Sequence, residues 1–182
     1  MCIRDRFASI QFFPNGITRD DQPYDGQVFL RSYHLAKDDE QLFSKLPGDL
    51  IGICDGNDTG VDKASDPLQL ETYGMIYAVL EDEFGNELQP DPNATALLTI
   101  DIPEQYLTVA PAEIPLWFFD ENSGVWVEEG TAVRNGNSYQ GSVTHFSWWN
   151  IDVPLGDLLT ICVNITDEAT GEPLSNLSLI HI

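Results

Sequence analysis

Two stretches carry residues whose types and spacing could do chemistry. In the loop that opens Asp55-Gly-Asn-Asp-Thr-Gly60, Asp55, Asn57 and Thr59 fall at alternate positions. Gly60 stands where a sharp turn is needed, and Asp66 stands where a last carboxylate would sit. Hard oxygens at that spacing can wrap a hard cation such as calcium. Thr59 in place of a carboxylate, Lys63 inside the loop and the lack of helical flanks depart from the pattern, and the plain alternative is an acidic, solvated loop. The second stretch is His145-Phe146-Ser147. In a regular strand His145 and Ser147 share a face with Tyr139, Gly141 and Val143, while Phe146 and Trp148 take the other. The apolar face therefore switches between Val143 and Phe146, and a bulge or kink there would reconcile the two halves. The plain alternative makes Phe146, Trp148 and Trp149 core aromatics, with His145 and Ser147 as satisfied polar neighbours.

Other chemistry finds less support. Glu128-Glu129 and Glu81-Asp82-Glu83 are carboxylate pairs. Glycosidic chemistry needs two carboxyls facing each other across a cleft. Adjacent strand residues point to opposite faces, so these acids read as solvated turns and edges. No glycine-rich phosphate loop and no Gly-x-Ser-x-Gly elbow is present. Cys54 and Cys162 could pair in an oxidising compartment, or stay as two thiols; they are too few for a disulfide scaffold. Asn57, Asn93 and Asn164 each open an Asn-x-Thr sequon.

The elements that must position these residues read as strands. Residues 7–13, 27–35, 50–54 and 68–80 are β-rich runs separated by turn chemistry, with a possible bend at 71–74. Residues 37–46 place Leu42, Phe43 and Leu46 at helical spacing, acids first and Lys45 last, and Pro47-Gly48 stops them after one or two turns. Residues 96–102 alternate apolar and polar, a half-buried strand. Residues 116–119, Leu-Trp-Phe-Phe, are apolar on both faces, as a central strand should be. Asp120 to Gly124 turns that strand back, and Asn135-Gly136 marks a second hairpin. All four tryptophans lie between residues 117 and 149. Residues 152–157 read as a linker. Beyond it Leu159, Ile161, Val163 and Ile165 alternate with polar residues, a further strand.

The expected fold is all-β: an antiparallel β-sandwich with one short helix over residues 7–152, followed at 157–176 by the truncated start of a second β-sandwich unit. Residues 1–6 and 177–182 resemble translated sequencing-adapter read-through and are set aside. The 182 residues are 42% hydrophobic, enough to bury a core. A net charge of -22 argues against nucleic acid, which needs a basic footprint, and against anionic membrane surfaces. No apolar run approaches the ~20 residues of a membrane-spanning helix, so no membrane insertion is expected in this fragment.

Tyr73-Gly74-Met75, the hairpin from Leu116-Trp-Phe-Phe-Asp120 to Gly130, and Val143-Thr-His-Phe-Ser-Trp-Trp-Asn150 together resemble a bacterial extracellular module similar to part of the cartilage intermediate layer protein family. Residues 161–174 resemble the opening strand and turn of a carboxypeptidase regulatory-like domain, a transthyretin-like sandwich. Those resemblances imply a non-enzymatic structural or adhesive module of a secreted or cell-surface protein, working beside neighbouring domains of the same polypeptide. A surface protein or a glycan would be its external partner, and calcium its only candidate cofactor. His145-Phe146-Ser147 also resembles the self-cleavage triplet of autoproteolytic β-domains. That resemblance implies an alternative in which the Ser147 hydroxyl, aided by His145, attacks the Phe146 carbonyl to make an ester that water hydrolyses. A third reading is a carbohydrate-binding module, with Trp126 or Trp149 exposed as a stacking face.

Overall fold

The computed structural model describes residues 2–4, 7–54, 67–91 and 93–157, the side chains of 2–4, 156 and 157 excepted. The protein is all-β. Its strands are β1 (Cys2–Arg4), β2 (Ala8–Gln11), β3 (Ile17–Arg19), β4 (Gln22–Pro23), β5 (Phe29–Ala36), β6 (Ile51–Ile53), β7 (Leu68–Glu81), β8 (Glu87–Pro90), β9 (Ala96–Asp101), β10 (Glu113–Asp120), β11 (Val125–Asn135), β12 (Ser138–Val143) and β13 (Trp148–Asp157). A single α-helical turn, α1 (Leu42–Lys45), and a 3₁₀ turn at Glu104–Tyr106 complete the described elements. The helix is brief because Leu46 is already extended and Pro47 follows it.

The strands form one continuous sheet in the order β1-β2-β9-β12-β11-β10-β13-β7-β8-β3-β4, with β5 on the other side of β7. Almost every pairing is antiparallel; β6 runs parallel to β11 and antiparallel to β7. The sheet folds over on itself in a sandwich-like way. Ala8 and Ile10 of β2, Leu98 and Ile100 of β9, and Tyr139 of β12 share a core with Ile76 and Leu80 of β7 and Trp149 and Ile151 of β13. Strands far apart in the sheet order thus bury a common apolar face, which removes it from water.

β10 is buried on both sides, as its unbroken apolar run requires. Ile114 and Leu116 face that core. Trp117 and Phe119 face a second cluster with Trp126, Leu35, Leu42, Leu50, Leu70 and Met75, roofed by α1 and β6. β6 can lie so close only because Gly52 carries no side chain: a Cβ there would come within 2.7 Å of the Trp117 ring and 2.9 Å of Leu70. Trp126 is held under this roof by its indole N–H, which donates to the Asp49 carbonyl at 3.1 Å.

Three local readings of the sequence change. Residues 152–157 are no linker: they continue β13, pairing Asp152, Val153, Pro154 and Asp157 with β7. The turn chemistry between residues 13 and 27 contains a strand pair, the small β3–β4 hairpin, turned by Asp20 and Asp21 at φ 49° and 60°. The parity break near residue 145 is no bulge inside one strand. Residues 144–147 form an irregular link between β12, which pairs with β9 and β11, and β13, which pairs with β10 and β7. The face switches there because the chain changes partners. Of the second unit expected at 157–176, residue 157 ends β13 and the rest lies outside the described residues.

Candidate functional site

The link at 144–147 places His145 and Ser147 at the seam of the two core-covering halves. The His145 ring sits edge-on to Phe118 at 4.8 Å and tilted against Trp149 at 4.9 Å. Its Nε2 lies 3.5 Å from Glu129 Oε2, and Thr144 Oγ1 donates to Glu129 Oε1 at 2.6 Å. The Ser147 hydroxyl donates elsewhere, to the Trp148 carbonyl at 3.2 Å. The two side chains expected to cooperate thus meet different partners.

The backbone here is tied down. The Phe146 N–H donates to Gln89 Oε1 at 2.7 Å, and Ala78 N–H donates to the Ser147 carbonyl at 3.1 Å. Trp149 Nε1 donates to the His145 carbonyl at 2.9 Å. Phe146 itself is buried against Phe12. Among the described residues, the non-glycine positions with left-handed backbone are Asn15, Asp20 and Asp21, all remote from this link in the chain.

The calcium-loop residues Asp55, Asn57, Thr59 and Asp66 lie outside the described residues, as does Cys162. Cys54 is half-buried, and burial, reinforced by the neighbouring Glu128, pushes its thiol up to about 11. Among the described residues no group of three or more His, Cys, Asp or Glu side chains is placed to hold a metal ion. The expected stacking faces are also taken: Trp126 is 0% and Trp149 1% exposed. Trp148 is the half-buried exception, aligned across the sheet with Tyr77 of β7, which is in turn aligned with Tyr33 of β5. Tyr33 is 41% exposed.

A fully buried polar group at the β7–β13 contact is foreshadowed by no sequence motif. Thr72 Oγ1 donates to Asn150 Oδ1 at 2.6 Å, and Asn150 Nδ2 donates to Asp152 Oδ2 at 2.6 Å. All three residues are buried. A bulge in β7 builds the group. Asn150 pairs with Met75 but Asp152 pairs with Thr72, so three steps along β7 match two along β13. Gly74, at φ +141°, absorbs the extra residue, and its N–H donates to Thr72 Oγ1 at 3.0 Å. Desolvation pushes the Asp152 carboxyl well above the usual carboxylate range, against the pull of the Thr72 hydroxyl and the Lys37 charge. Asn150 and Asp152 alternate with Trp149 and Ile151, a pattern that ordinarily means one wet face. Only the neighbouring β10 and the roof over it make that face dry.

A cavity of about 450 Å³ opens between the end of β5 and the residues after β9, lined by Phe7, His34, Asp38, Asp101, Ile102 and Glu104 among others. No described helix is long and apolar enough to cross a membrane. Compared with protein-family models, with curated proteins and with solved structures, the chain matches none of them.

Proposed function

We propose that the chain is a non-enzymatic structural or adhesive module of a secreted or cell-surface protein, carried beside other domains of the same polypeptide. The observation that carries this reading is where the chemically suggestive side chains go. Trp117, Trp126 and Trp149 fill the core, and the His145 imidazole and the Ser147 hydroxyl point to different partners. A net charge of -22 supports a hydrated surface that repels polyanions. The resemblance of residues 161–174 to a carboxypeptidase regulatory-like domain supports neighbouring modules, and the loop at 55–66 remains the place where calcium would bind.

A denaturing gel and an intact-chain digest test this against self-cleavage. One full-length band, unchanged in Ser147→Ala, is expected. Two fragments divided at Phe146–Ser147, lost in Ser147→Ala, would overturn the non-enzymatic reading.

The row of Tyr33, Tyr77 and Trp148 favours a second reading, binding of a glycan. Its rings lie on three adjacent strands and keep partial exposure. Sugar rings stack on aromatic faces, so a glycan ligand would quench tryptophan fluorescence in the wild type and not in Trp148→Ala.

A further inference from the structure

The buried group Thr72, Asn150 and Asp152 has no part in the structural or adhesive role proposed above, and its own chemistry is independent of that role. Each of its residues is 3% exposed or less. Thr72 Oγ1 is 2.6 Å from Asn150 Oδ1, and Asn150 Nδ2 is 2.6 Å from Asp152 Oδ2. A hydroxyl, a carboxamide and a carboxyl are therefore in direct sequence, shielded from water. Asp152 Oδ1 is buried and has no hydrogen-bond partner. An unused oxygen on a buried carboxyl is costly, and such a group calls for an explanation.

We propose that Thr72 and Asn150 join through an internal ester that staples β7 to β13. Thr72 Oγ1 attacks the side-chain carbonyl carbon of Asn150. The new C–O bond forms, the C–N bond breaks, and ammonia leaves. The hydroxyl proton passes to Asn150 Oδ1, which already accepts it, and the tetrahedral adduct collapses as that proton reaches the departing nitrogen, whose N–H is held by Asp152 Oδ2. Asp152 neither gains nor loses a proton, and no oxidant, reductant or second substrate is consumed.

Each neighbour has a part in this. The Gly74 N–H donates to Thr72 Oγ1 and fixes its position, leaving the hydroxyl proton directed at Asn150. Asp152 stands directly across the ladder from Thr72. Burial favours the neutral carboxyl, with its proton on the unpartnered Oδ1 and Oδ2 left to accept from the Asn150 nitrogen. Turning the Asn150 amide about its Cβ–Cγ bond leaves its carbonyl carbon in place and swings the face of that carbon towards Thr72 Oγ1. A hydroxyl held against a carbonyl in a closed site gains a large effective concentration, and the reaction happens once per molecule, so a slow rate suffices. The same exclusion of water protects the ester afterwards. The link closes a loop between residues 78 positions apart, which would restrict the unfolded chain as a disulfide does.

Intact mass of the purified, folded chain tests this directly. The expected value is about 17 Da below the mass of the sequence, the loss of one ammonia in the acyl transfer. A digest then yields one branched species joining the peptides of Thr72 and Asn150, which hydroxylamine separates. Thr72→Val and Asn150→Ala restore the unmodified mass, Thr72→Ser keeps the loss, and Asp152→Asn slows its appearance. An unmodified wild-type mass after prolonged incubation of the folded chain overturns the proposal. A gain of about 1 Da, simple deamidation of Asn150 by water, overturns it as well.

Discussion

Trp117 Nε1 donates a 3.1 Å hydrogen bond to the backbone carbonyl of Asp152, 35 residues further on. It ties the central strand β10 to β13 at the same point where the buried carboxyl sits. Trp117→Phe keeps most of the apolar volume but leaves that carbonyl buried and unpaired. The expected cost is about 1–3 kcal/mol, read as a lower urea midpoint with unchanged strand content by circular dichroism.

Gly52→Ala tests the same packing from the other side. The added methyl falls 2.7 Å from the Trp117 ring and 2.9 Å from Leu70 Cδ1, a distance at which something must shift. Overpacking of this kind costs roughly 1–3 kcal/mol, measurable by thermal or urea unfolding. A pair Gly52→Ala with Leu70→Ala should recover part of the loss if the contact is its cause.

Asp152 sets a pH dependence of one sign. Burial makes its carboxyl hold its proton to higher pH in the folded chain than in an unfolded Asp, which loses it above about pH 4. Above that pH the unfolded state binds fewer protons, so the stability this group supports is full below about pH 4 and declines as pH rises towards the folded value. Asp152→Asn is neutral throughout. Its unfolding free energy should fall less between pH 5 and pH 9, roughly the neutral range, than that of the wild type.

Asp82 works in the opposite direction. Its side chain is fully buried in the β7–β8 turn, accepting from Asn86 Nδ2 at 2.8 Å, from the Phe84 and Asn86 N–H groups, and from Arg19 at 3.0 Å. The Asn86 side chain leads in holding its carboxyl down to about 2. A depressed carboxylate supports stability above its unfolded value of about 4, and that support is lost as pH falls towards about 2. Acid titration of the wild type should show this loss, and Asp82→Asn should show a shallower acid limb.

Cys54 should be slow to react. Its thiol is raised to about 11, so at neutral pH almost none of it is the thiolate that alkylates. Iodoacetamide should label Cys54 at least about tenfold faster in urea than in buffer, as judged by peptide mapping. Rapid native labelling at Cys54 would mean that the thiol is neither buried nor paired with Glu128.

Much of the fold follows from patterns that act over a few residues. Burial of β9 alternates as its apolar and polar residues do, and β10 is buried on both faces as its Leu-Trp-Phe-Phe run implies. The turns at Gly124 and Gly136 take positive φ where glycine makes it inexpensive. The single helical turn ends where Pro47 prevents more. These features were legible because backbone sterics and a period of two or 3.6 residues decide them locally.

The candidate sites were less legible. His145 and Ser147 share a face only if residues 139–149 are one strand. Instead, β12 and β13 take different neighbours, and the imidazole turns to Glu129. Trp126 and Trp149 could have been exposed or buried with identical sequence; the roof of β6 and α1, and the opposing half of the sheet, bury them.

What the sequence by itself determined is the strand content, the hairpin turns and the two-sided apolar character of β10, because these rest on side-chain volume, polarity and backbone freedom at neighbouring positions. Only the tertiary structure decided that Thr72, Asn150 and Asp152 meet away from water. Their contact spans 78 residues and depends on the bulge at Gly74, on the antiparallel register of β7 with β13, and on a neighbouring strand that covers them. Whether a polar side chain is solvated or trapped is a property of what covers it, and the cover comes from remote parts of the chain.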